Sequence, residues 1–163
     1  MEHTVKELKA AVSAGVAAVS AMLGWFGWLA VLFALVMGLD WITGTAVAHR
    51  QGQWSSSAAR EGLWHKAAEM IAVASALLLD SLIATVMHNL PGISLPFQYT
   101  VFLAPLVLVW YIVTELGSIV ENLGLLGARI PGFLVRAIRV LSSTVDTAGD
   151  SLVPEQQEDK PRT

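Results

Sequence analysis

Apolar residues run along this chain in long unbroken stretches, and strand-like alternation is absent. From Ala10 to Leu39 no charged residue occurs. As one straight helix that stretch would reach about 45 Å, against a hydrocarbon core of about 30 Å. It is too long for one upright span and too short for two, so a break is expected near Gly24 and Gly27. The break leaves an Ala-rich N-terminal helix and a full span over about 26–48. A second span is expected over about 67–88, and a third over about 97–123 after a turn containing Pro91, Gly92 and Pro96. Pro105 inside the third predicts a kink. Beyond Gly127 the chain reads ARIPGFLVRAIRVLSS, with Pro131 suited to a first helical turn. Over about 131–143, Ile130, Leu134, Ala137, Ile138 and Leu141 share one face and Arg136, Arg139, Ser142 and Ser143 the other. That pattern predicts an amphipathic helix at the membrane interface. Residues 146–163 are polar and read as a disordered tail. The predicted class is an all-α integral membrane protein: one domain over 1–145, with three transmembrane helices, the N-terminal helix and the interfacial helix.

The third span departs from a lipid-facing pattern. At 100° per residue, Tyr111, Thr114, Glu115, Ser118, Glu121 and Asn122 fall in one sector of about 120°. Ile112, Val113, Leu116, Ile119, Val120 and Leu123 fill the opposite side. A carboxylate facing lipid near mid-bilayer costs roughly 2.5–3.5 kcal/mol, so the stripe has to face protein, water or a partner charge. Asp40, with Thr43 and Gly44 close behind it, interrupts the first span, and Asp80 interrupts the second. Three readings compete. Each acid pairs with a basic residue such as Arg50, Lys66 or Arg129, or carries a proton; the acids line a water-filled lesion between subunits; or they form a proton or cation path. Glu121, close to the interface, fits the first best.

Composition strengthens the membrane reading. Of 163 residues 55% are hydrophobic and 14% charged, where a soluble domain carries about 25% charged residues, and the mean hydropathy is +0.60. The absence of cysteine excludes disulfides and thiolate metal sites. His3, His49, His65 and His88 are scattered without metal-ligand spacing, and no nucleotide or phosphate motif occurs. No cofactor, enzymatic activity or nucleic-acid partner is expected.

Lys and Arg set the orientation. The loop over 49–66 contains Arg50, Arg60 and Lys66, and the segment after the third span contains Arg129, Arg136 and Arg139. Both belong in the cytoplasm, which places the C-terminus there, and the turn between the second and third spans lies outside. The N-terminal helix puts Ala10, Ala14 and Ala18 on one edge and Ser13, Ala17 and Ala21 on another. These small residues, with Gly44 in the first span, suit close helix contact, within the protomer or between subunits.

The order Asp40, Thr43, Gly44, then Ser56, Gly62, Leu63, Lys66 and Asp80, then YIVTELGSIVENLGLLGARIP from Tyr111 to Pro131, resembles the phage lysis and toxin-secretion holin family. The resemblance covers about Asp40 to Leu134, and the last segment is its most specific part. Glu61 departs from it, standing where the family usually has a basic residue. The resemblance implies a bacterial inner-membrane protein that forms homo-oligomers in the lipid bilayer and opens lesions through which an endolysin or toxin passes as cargo. The alternatives are an ion channel or proton-coupled transporter subunit using Asp40, Asp80 and Glu115, and a membrane scaffold without permeation.

Overall fold

The computed structural model of the chain describes residues 2–90 and 103–152, and before Gly24 only some of the side chains. The described residues form four helices: α1 (Glu2–Arg50), α2 (Ser56–Asn89), α3 (Leu103–Leu125) and α4 (Gly132–Leu152). Three segments, Gly24–Arg50, Ser56–Asn89 and Leu103–Leu125, are long and apolar enough to cross a membrane. The protein is an all-α, multi-pass membrane protein. The turn around Pro91 to Pro96 and the expected start of the third span at 97 lie outside the described residues.

Helix α1 is two helices joined at Gly24, where φ is 60° and ψ is −170°. Glycine alone adopts that conformation without a steric penalty, so the long apolar run breaks there, while Gly27 stays helical. On the arm before the break Ser13, Ala14 and Ala17 are exposed, and the side chain of Ala18 lies outside the described residues.

The loop expected over 49–66 is much shorter. Helix α2 starts at Ser56, where the Ser55 hydroxyl accepts a hydrogen bond from the Ala58 amide at 3.1 Å. This satisfies one of the unpaired amides of the first turn. Lys66 is consequently a helix residue about three turns into α2, and not a loop residue.

Helix α3 is the hub against which the other three pack, whereas α1 and α2 barely touch. Phe33, Val36 and Met37 of α1, Val73 of α2, and Leu108 and Ile112 of α3 form the buried apolar cluster. The α1 members follow a three-four spacing and so share one helix face. Side-chain pairings fix the directions. Phe33 packs on Tyr111 with ring centroids 5.8 Å apart, and Gly44 faces Asn122, so α1 runs parallel to α3. Lys66 meets Glu115 and Asp80 meets Ala104, so α2 is antiparallel to it.

The end of α3 is closed by a Schellman turn. The Ala128 amide donates to Leu123 O and the Gly127 amide to Gly124 O, both at 2.9 Å, with Gly127 at φ 90°. This pairing satisfies two of the last carbonyls of the helix. The Arg50 guanidinium donates to a third, Leu126 O, fastening the end of α1 to the end of α3. A Cβ on Gly127 would meet Arg50 Nη1 at 3.6 Å, an ordinary contact. The conformation is then what opposes a side chain, and Gly127→Ala is expected to destabilise by about 1–2 kcal/mol. Thermal unfolding in detergent micelles measures it.

Helix α4 is the amphipathic helix expected at the C-terminus, but it is longer and packs lengthwise. Its contact face is Val135, Ile138, Ser142, Val145 and Gly149, again at three-four spacing. Gly117 of α3 lies against Ile138, and Gly149 lies against Leu106. Helix α4 therefore doubles back antiparallel along α3. Continuation of this seam through Gly149 keeps residues 146–152 helical where the sequence suggested the start of the tail. Residues 153–163 lie outside the described residues.

Candidate functional site

The polar stripe of α3 divides along its length. Tyr111, Glu115 and Asn122 turn toward α1 and α2, while Thr114 and Glu121 are exposed on the side of α4. Ser118 is half-buried.

On the first side the three spans meet around one ammonium. Lys66 Nζ lies 2.9 Å from Asp40 Oδ2 and 3.9 Å from Glu69 Oε1, and it donates a hydrogen bond to Glu115 Oε1. Asn122 extends the network, its Nδ2 donating to Asp40 Oδ1 and Thr43 Oγ1, each at 3.2 Å. The Thr43 hydroxyl in turn donates to the Asp40 carbonyl at 3.0 Å. Helix geometry explains the convergence. Asp40 and Thr43 sit one turn apart on α1, Lys66 and Glu69 one turn apart on α2, and Glu115 and Asn122 two turns apart on α3. Gly44 allows the approach, since it leaves room for Asn122, whose Nδ2 would stand 3.6 Å from an added Cβ.

Formal charge within the network is unequal, with three carboxyl groups facing one ammonium. Glu115 is only 3% exposed. Its Oε2 and that of Glu69 are buried without a hydrogen-bond partner. Such buried unpaired oxygens are costly. The arrangement therefore holds Lys66 firmly and leaves the two glutamates incompletely satisfied.

Asp80 stands apart. Along α2 it is fourteen residues from Lys66, about 21 Å by helix rise. Its carboxylate accepts from the Leu103 amide at 3.2 Å and the Ala104 amide at 2.8 Å, capping the start of α3 from another helix. Pro105, the third residue of α3, has no amide to satisfy and suits this first-turn position, so the expected interior kink is replaced by a helix start. Loss of the cap in Asp80→Ala is expected to lower stability by about 1–2 kcal/mol, and Asp80→Asn by less because one acceptor remains. Urea or thermal unfolding of the purified protein in detergent distinguishes the two.

The second side of the stripe opens into grooves along the α3–α4 seam. One, of 310 Å³, is lined by Thr114, Gly117, Glu121, Val135, Arg139 and Ser142. The other, of 530 Å³, lies further along the seam between Trp110, Tyr111, Asp146 and Asp150. Trp110 Nε1 donates to Asp146 Oδ1 at 2.7 Å across it.

Of the basic residues read from sequence, Lys66 belongs to the network and Arg50 to the α3 end. Arg60, Arg129, Arg136 and Arg139 are exposed. Glu69 was absent from the sequence reading. Its signal was the Lys66–Glu69 spacing of three, which makes two residues neighbours on any helix. Among the described residues no group of His, Cys, Asp or Glu is arranged to hold a metal ion.

Comparison with known proteins gives the family. A model of the bacteriophage holin family matches residues 17–143. An uncharacterized protein of Halalkalibacterium halodurans is 33% identical over 126 residues, which cover 77% of this chain and 86% of that protein. No solved structure matches. The matched region takes in α1 from before its break, the whole Lys66 network and the first half of α4. With its three membrane-crossing helices and their shared polar network, the chain belongs to the bacteriophage holin family.

Proposed function

We propose that the protein is a holin-like lesion former, which oligomerises in the bacterial inner membrane and opens holes through which an endolysin or toxin leaves the cytoplasm. The observation that carries this reading is the divided polar stripe of α3. One edge is sheltered against Asp40 and Lys66, and the other, with Thr114 and Glu121, is exposed. The Thr114 hydroxyl is held by the Trp110 carbonyl at 2.9 Å, but the Glu121 carboxylate opens into a groove that it shares with Arg139. Such charges are costly to leave in lipid, so assembly of several copies around water is favoured. Three spans cannot enclose a passage for a folded protein, and many copies are required.

In this reading the Lys and Arg bias puts the 51–55 turn and Arg129 in the cytoplasm. The Lys66 network then lies toward the cytoplasmic side of the bundle and Asp80 toward the outside. Its task is to hold the spans together in the harmless form, and no catalytic role is assigned. A channel or transporter that used Asp40, Asp80 and Glu115 as one path is less well supported, because Asp80 is committed to the start of α3, about 21 Å along α2 from the Lys66 that the other two share.

Reconstitution tests the reading. Vesicles loaded with dextrans of graded size should release molecules of folded-protein size above a threshold protein-to-lipid ratio. Release of ions alone supports the channel, and intact vesicles at every ratio support the scaffold.

A further inference from the structure

The structure lays α4 along a membrane span. Ile138 lies at the level of Gly117 and Gly149 at that of Leu106, and the rise between Ile138 and Gly149 is about 16 Å. With 21 residues α4 is about 31 Å long, comparable to the hydrocarbon thickness. Around its circumference there are three sectors. Val135, Ile138, Ser142 and Val145 face α3. Phe133, Ala137, Val140 and Leu141 form an exposed apolar side, continued in the second half by Thr144, Thr147 and Ser151, whose hydroxyls donate to carbonyls of their own helix. Arg136, Arg139, Ser143, Asp146 and Asp150 form a charged edge. Arg139 of this edge borders the groove into which Thr114 and Glu121 of α3 open, and Asp146 and Asp150 border the next groove along the same seam.

We propose that α4 crosses the bilayer beside α3, and that its charged edge, with Thr114 and Glu121, is the wall that meets water when copies of the chain assemble. The inference rests on the lesion-forming reading and adds which helix faces the lumen. Four charged side chains on one edge are too costly to leave in lipid at that depth. The occupant of the edge follows from symmetry. In a two-fold pair of copies with one topology the edge would meet itself at equal depth, Arg139 near Arg139 and Asp146 near Asp146. A dry contact between them would bury like charges, whereas a ring of copies around water keeps them hydrated. The exposed apolar side is left for lipid. The end of α4 then lies on the side of the membrane opposite the 51–55 turn.

The absence of cysteine makes the test direct. Single variants Ser56→Cys, Val140→Cys, Ser143→Cys and Ser151→Cys are placed in the full chain and treated in intact cells with a charged, membrane-impermeant thiol reagent. Before leakage, Ser151→Cys should be labelled from outside and Ser56→Cys protected. In leaking vesicles, Ser143→Cys should react roughly tenfold faster than Val140→Cys, and its modification should change the rate of dye release. Protection of both Ser56→Cys and Ser151→Cys in intact cells would place α4 at the cytoplasmic interface and overturn the inference. Equal reaction of Val140→Cys and Ser143→Cys would overturn the lumen assignment. Absence of leakage with any variant or the unaltered chain would overturn the lesion-forming reading, while the sidedness of Ser151→Cys would still test the crossing of α4.

Discussion

Replacement of Lys66 by Met is expected to be the most damaging single change, lowering stability by about 3–5 kcal/mol. Among the described residues the ammonium is the one cation in contact with Asp40, Glu69 and Glu115. Its removal leaves three carboxyl groups from three helices facing one another in a place with little water. The protein should accumulate poorly, or unfold in detergent at a temperature well below that of the unaltered chain. The effect should be conditional on the acids. Neutralising the cluster as a whole in Lys66→Met with Asp40→Asn, Glu69→Gln and Glu115→Gln should recover most of the loss, since a buried ionic group replaced entirely by neutral ones is often tolerated. Thermal unfolding of the series from single to quadruple variant gives the coupling. Additive losses would show that Lys66 stabilises by packing its stem and not by charge.

Glu115→Gln is expected to act in the opposite direction. The amide retains an oxygen for Lys66 and supplies an N–H₂ group where Glu115 Oε2 and Glu69 Oε2 now lack donors. A hydrogen bond to a charged carboxylate contributes about 1.5–3 kcal/mol, and 1.4 kcal/mol is a tenfold change in an equilibrium. If the network holds the closed form, the opened form becomes roughly tenfold or more rarer, and permeabilisation starts later after induction. Glu115→Leu, which lacks both groups, should start it earlier. The time from induction to loss of culture density, at matched protein level, distinguishes them. The same onset for all three chains would remove Glu115 from the control of opening.

Much of this arrangement was legible in the residues. The unbroken apolar runs gave the spans, and Gly24 was a readable break because a helix of that length outgrows the bilayer. Asp40 and Glu115 each stand eight residues from the basic end of their expected spans, 26–48 and 97–123, which puts them at one depth, and Lys66 was a nameable partner. The capping role of Asp80 was not legible. Its partners are backbone amides of a helix that starts twenty-three residues later, and amides have no sequence signature. Glu69 was hidden for a related reason: it lies just inside the expected second span, and only packing of three helices shows what it faces. For α4 the periodicity was right and the setting was not in the pattern. An apolar face of that kind packs equally on lipid headgroups or on another helix, and the seam of Val135, Ile138 and Val145 with Gly117 is a tertiary fact.

The central claim is that the chain opens the bacterial inner membrane widely enough for folded proteins. Cells that contain a cytoplasmic reporter enzyme and inducible chain test it most directly, with potassium, a small dye and the enzyme followed outside the cells over time. The account predicts an interval without leakage followed by abrupt release of all three together. Release of potassium or dye with the enzyme retained, or no release at full accumulation in the membrane, would contradict it.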